Sequence, residues 1–164
     1  METAERVKTE SFVIRRIIDA PIERVWRAWT EPELLRRWWG PQYYTSPSCE
    51  LDLRVGGRLL LCMRAPAEQG GQDSYTTGRF TRIVPKELLE FTQSPADKDG
   101  APLDPAAAGL PADFPEETLT TVSFERKGEL TKLRLTVSGM SPGQLFVFAF
   151  AGWHQSLDKF EDSL

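Results

Sequence analysis

Histidine and cysteine are scarce in this chain: one histidine, His154, and two cysteines, Cys49 and Cys62, among 164 residues. A metal centre needs several such ligands at close spacing, so no metal is expected. The cysteines fall in two neighbouring strand-like segments. A hairpin turning at Gly56-Gly57 sets them on one face but diagonally, too far apart for an unstrained disulfide, and a four-residue loop would set them opposite. They are read as reduced thiols packed as small apolar groups. Long basic runs are also missing and the net charge is −4, which argues against nucleic acid or an anionic membrane as partner. The longest mostly apolar stretch, Leu145 to Trp153, is too short to span a bilayer. The opening residues METAERVKTES hold no apolar run, so no signal peptide is expected and the expected compartment is the cytoplasm. Gly56-Gly57 and Gly70-Gly71 read as hairpin turns without the following helix that phosphate binding needs. No serine, histidine and carboxylate stand in an order that spacing supports. The sequence therefore assigns no catalytic residue and calls for no cofactor.

What is abundant is tryptophan, and four of the five lie between Pro21 and Pro41. Ile22, Val25, Trp26 and Trp29 fall at i, i+3, i+4, i+7, one apolar helical face. Leu34, Leu35, Trp38 and Trp39 repeat the pattern in a second short helix. Thr30 is positioned to cap it, Pro32 suits its first turn, and Gly40-Pro41 ends it. Two helices this aromatic call for a concave apolar surface beneath them.

Residues 1–10 read as a flexible tail and 11–164 as a single domain. Ser11 to Asp19 is strand-like. Tyr43 to Val55 alternates, with Cys49, Leu51, Leu53 and Val55 on one face. Strands follow at Arg58–Ala65, Tyr75–Val84 and Glu87–Gln93, with turns at residues 69–72 and at Pro85-Lys86. Ser94 to Glu116, rich in Pro, Ala, Gly and Asp, reads as a long mobile loop, either a solvated connector or a flap over a pocket mouth. Thr118–Arg126 and Thr131–Gly139 form a last hairpin, with Leu133, Leu135 and Val137 inward. A helix then runs to the C-terminus, with Phe146, Phe150, Trp153, Leu157, Phe160 and Leu164 in one stripe. Gly152 within it is expected to allow close approach of a neighbouring element. Segregated helices on about six to seven antiparallel strands give an α+β fold, a curved sheet wrapped around one long C-terminal helix.

Several segments carry a family resemblance: IDAPIERVWRAWTEPELLRRWWGP, LDLRVGGR, GRFTRIVPKELLEFT and GWHQSLDKF. In that order, over Phe12 to Leu164, the chain resembles START-like (SRPBCC) proteins of the heat-shock-protein-90 ATPase-activator type, similar to the activator's C-terminal domain. The resemblance implies a helix-grip fold with a cavity between sheet and terminal helix. It implies a hydrophobic guest, since the superfamily binds lipids, sterols, plant hormones and polyketides. It also admits two alternatives: a chaperone partner and a stress-response role, or a cyclase or dehydratase acting on an aromatic or polyketide-like compound. The activator's chaperone-engaging N-terminal domain is not expected in this chain, and no catalytic set is carried over.

The expected lining of the cavity is Trp38, Trp39, Leu51, Phe80, Phe91, Phe124, Phe150, Trp153 and Leu157. These rings and aliphatics also serve as core, so the binding reading needs only one or two to face a void. Trp39 and Trp153 are the first candidates. His154, with Asp158 one turn on, is the candidate titrating group. Strand parity puts Phe80, Arg82 and Val84 on one side, which makes Arg82 the candidate polar anchor for a ligand carboxylate. The function that follows is the binding of a small hydrophobic or amphipathic molecule.

Overall fold

The computed structural model of the protein describes residues 9–164. The tail expected over residues 1–10 lies outside the described residues as far as position 8, and Glu10 already belongs to a strand. The elements run β1 (Glu10–Ile18), α1 (Ile22–Thr30), α2 (Pro32–Leu35), β2 (Cys49–Leu51), β3 (Arg58–Arg64), β4 (Asp73–Val84), β5 (Leu88–Ala96), β6 (Thr118–Lys127), β7 (Leu130–Met140) and α3 (Gln144–Ser163). The seven strands form one antiparallel sheet in the order β1-β7-β6-β5-β4-β3-β2. This is the α+β fold expected from the alternation of strands and the single long terminal helix, in the helix-grip arrangement that the resemblance implies.

Period-two burial makes the sheet one-sided. Leu133, Leu135 and Val137 of β7 are buried, as are Val122 and Phe124 of β6 and Leu89 and Phe91 of β5. The apolar face of α1 lies on this layer, with Ile22, Val25 and Trp29 buried and Trp26 set edge-on to Phe124 at 5.5 Å. Trp29, Trp38 and Phe160 close into a knot, with ring centroids 4.6 to 5.8 Å apart. Edge-to-face pairs of this kind add to the burial of their area.

Local rules fail in five places. Thr30 does not cap α2. Its hydroxyl donates to the Trp26 carbonyl at 2.8 Å within α1, and Glu31 takes the cap position ahead of Pro32. The strand expected over Tyr43–Val55 shrinks to Cys49–Leu51, with Leu53 and Val55 exposed. The β2–β3 connection is an odd-length loop over residues 53–57, which pairs Cys49 with Leu61 and puts Cys62 on the opposite face. In β4 the register shifts between Phe80 and Arg82, so Phe80 and Ile83 face the core while Arg82 and Val84 turn outward. At Gly152, a Cβ would meet only Pro41 at 3.9 Å, an ordinary contact, so no close approach requires glycine there. Gly78 does require it, because a Cβ would stand 1.7 Å from the Thr92 carbonyl oxygen across the sheet.

Candidate functional site

The two halves of α3 differ. Toward the C-terminus Leu157 and Phe160 are fully buried against the indole knot. Toward the N-terminus Ala149, Gly152 and Ser156, at i, i+3 and i+7, present little bulk to the sheet. A cavity of about 600 Å³ opens under this half. Its walls come from Leu145, Phe148 and Trp153 of α3, from Tyr75, Thr76, Gln93 and Ser94 on β4 and β5, and from Val137 and Met140 on β7. Trp39, Gly40 and Pro41 close one side. Leu103, Ala108, Leu110, Phe114 and Pro115 of the 97–117 connection cover another; the loop expected from Ser94 starts only after Ala96, because Ser94–Ala96 pair with β4 as the end of β5. Phe148 lines the cavity while 61% exposed, so the space reaches the surface beside the start of α3.

The covering segment is tied down. Leu103 N–H donates to the Pro95 carbonyl at 2.9 Å, and Asp97 Oδ1 accepts from the amides of Asp99 and Ala101. The Ser141 hydroxyl, just ahead of α3, donates to the Asp113 carbonyl. On the opposite side the Lys159 ammonium donates to the carbonyls of Gly40, Pro41 and Tyr44 at 2.9 to 3.2 Å, which holds the chain after Trp39 against α3. Burial alone pushes its pKa below the usual lysine value.

Of the residues expected to line the site, Trp39 and Trp153 do so, with their rings perpendicular at 5.4 Å. Trp38 is wholly buried, and its indole N–H donates to the Ala28 carbonyl at 3.1 Å. Phe80, Phe91, Phe124 and Leu157 are buried core, and Leu51 packs partly buried against it. Phe150 sits edge-on to Phe12 at 5.4 Å, outside the cavity. Arg82 is exposed, pairs with Glu90 at 3.6 Å and does not line the cavity. Sequence reasoning missed the small-residue stripe Ala149, Gly152, Ser156 and the apolar residues of the covering loop. The first was legible in the helical spacing of α3, beside the aromatic stripe that drew attention.

His154 does not face the cavity, and its partner is not Asp158. Arg16 of β1 donates to His154 Nδ1 at 2.9 Å and to the His154 carbonyl at 3.0 Å, and its other nitrogen donates to Asp158 and Glu161, both at 2.7 Å. Burial opposes the guanidinium's charge, but the hydrogen bonds of Glu161 and Asp158 outweigh it and raise the pKa. The cluster joins β1 to α3. Both cysteines are free and buried, and desolvation raises the pKa of each thiol. The Trp29 indole N–H is buried without a hydrogen-bond partner among the described residues. Among those residues there is no group of side chains able to hold a metal ion and no helix long and apolar enough to cross a membrane.

Comparison with known proteins places this geometry. The model of the family described as "Activator of Hsp90 ATPase homolog 1-like protein" matches residues 19–164. A protein from Arthrobacter aurescens, solved by NMR, superposes with a TM-score of 0.75 at 26% identity, covering 93% of this chain and 84% of its own. A crystal structure from Chromobacterium violaceum gives 0.73 at 25% identity, over 93% and 94%. An AHSA1-like protein from Aeromonas hydrophila gives 0.70 at 24% identity, over 94% and 91%, which speaks for the fold alone. No curated protein matched the sequence.

Proposed function

Because the chain belongs to the Activator of Hsp90 ATPase homolog 1-like family, we propose that its cavity holds a small apolar or amphipathic molecule and that binding it is the protein's function. The observation that carries this reading is the cavity itself, about 600 Å³ with two perpendicular indoles in its wall. That volume lies within the roughly 300–1,000 Å³ usual for small-molecule sites. Polar side chains are spread around an otherwise apolar wall, among them Asp73, Tyr75, Gln93, Asp97 and Ser156. Such a site binds through area and shape, and its polar groups set orientation.

The test is a titration of tryptophan emission with uncharged hydrophobic dyes. Binding at this site shifts the emission of the wild type, and replacing both Trp39 and Trp153 by phenylalanine removes most of the shift. A wild-type spectrum unmoved by every dye contradicts the proposal.

A second reading, contact with a chaperone as the family's description suggests, is favoured by one observation. Val147, Phe148 and Phe150 expose apolar surface together at the start of α3, with Val147 59% and Phe148 61% exposed. On that reading the protein alters ATP hydrolysis by heat-shock protein 90, and Phe148→Ser removes the effect. A cyclase or dehydratase reading has no such support, since His154 is turned to Arg16.

A further inference from the structure

The charge of the cavity wall points to the charge of its guest. Among the described residues, no lysine, arginine or histidine lines the cavity, whereas Asp73 and Asp97 do. Three cations stand beside residues at its edge. Arg64 donates to both carboxylate oxygens of Asp73 at 2.7 and 3.1 Å. Arg58 pairs with Glu50 at 3.7 Å and donates to the Asp99 carbonyl at 3.1 Å, while Lys159 keeps its charge but is held by three carbonyls and lies outside the lining. Asp97 differs from Asp73, because its Oδ1 takes two backbone amides and no cation stands within ion-pair distance among the described residues.

The covering segment over 97–117 carries Asp97, Asp99, Asp104, Asp113, Glu116 and Glu117 against Lys98 alone. A mouth in which one sign predominates raises the local concentration of ions of opposite sign. Inside, Trp39 and Trp153 meet at right angles, 5.4 Å apart, with Tyr75, Phe114 and Phe148 elsewhere on the wall. Aromatic faces carry negative quadrupole density and attract a desolvated cation. The same faces and the Asp97 carboxylate disfavour an anion, which would enter a partly apolar space with no lysine, arginine or histidine in its wall.

We propose that the guest is an organic cation, an apolar body bearing an ammonium group, and that the wall discriminates against carboxylates. This rests on the binding reading above and assigns the class of molecule within it.

The test uses three probes with one decyl body: decyltrimethylammonium, decanol and decanoate, each below its aggregation threshold, read by calorimetry and tryptophan emission. The ammonium binds about tenfold more tightly than the alcohol, and decanoate binds most weakly. Raising the salt weakens the ammonium and leaves the alcohol unchanged. The D97N variant, whose amide oxygen still closes the turn, brings the ammonium close to the alcohol. Alcohol binding equal to or tighter than ammonium binding, or decanoate binding tightest, overturns the charge assignment while leaving the cavity as a binding site. Silence from all three probes overturns both.

Discussion

Trp38 and Trp39 are neighbours in sequence with separate tasks. Trp38 is fully buried in the ring knot with its N–H donated to Ala28, so Trp38→Ala should cost about 3–5 kcal/mol in denaturant unfolding. Trp39 is 8% exposed at the cavity wall, and its replacement by alanine should cost less stability while changing ligand-induced fluorescence. The thiols give a test at the same scale. Cys49 and Cys62 are buried, and desolvation raises both pKa values above the ordinary 9.0. A disulfide-exchange reagent should therefore leave the native protein unmodified and react with both thiols in urea. The sign of the pH dependence follows. A raised thiol pKa means that the folded state keeps its protons longer, so the contribution is full below the unfolded value near 9.0 and is lost as the pH rises through the folded one. Urea midpoints should fall across that alkaline window. The double variant Cys49→Ala/Cys62→Ala should lack this part of the decline.

At the scale of elements, α3 is fixed from two sides. Arg16 of β1 gathers His154, Asp158 and Glu161, and Lys159 gathers three carbonyls beyond α2. Asp158 is 65% exposed, so solvent screens much of the Arg16 pairing, and Arg16→Met should cost only about 1 kcal/mol in urea unfolding. Gly152→Ala should stabilise the protein by about 0.5–1 kcal/mol, since helix propensity improves and the added methyl meets only Pro41 at 3.9 Å. A loss of stability would show that α3 packs more closely there. The elements were largely legible in the sequence, because β7 alternates over Leu133, Leu135 and Val137 and α3 keeps its aromatic period. The site was less so. Strand parity put Arg82 inward, but the register shift after Phe80 turns it out, and the odd-length loop at 53–57 put the cysteines on opposite faces. A bulge and a loop length depend on the partner strand, which a pattern read along one segment does not contain. Trp39 and Trp153, which both line the cavity, stand out in the sequence because Trp39 sits beside the Gly40-Pro41 break and Trp153 centres the apolar stripe of α3.

At the scale of the whole molecule, the grip of sheet on helix is uneven. One end is filled by Trp29, Trp38, Leu157 and Phe160, and the other is left open under Ala149, Gly152 and Ser156. The 97–117 segment covers the open end and meets α3 through Ser141 and Asp113. A guest in contact with Leu103, Leu110 and Phe114 should slow limited proteolysis within 104–113, and cleavage at an unchanged rate would separate that segment from binding.

The most direct measurement is the binding isotherm of Gly152→Leu beside the wild type, with one hydrophobic probe and with thermal unfolding of both proteins. A leucine at 152 extends into the open space, so the variant should melt close to the wild type and lose most of its affinity. A folded Gly152→Leu protein that binds the probe as the wild type does would place the binding elsewhere and contradict the account.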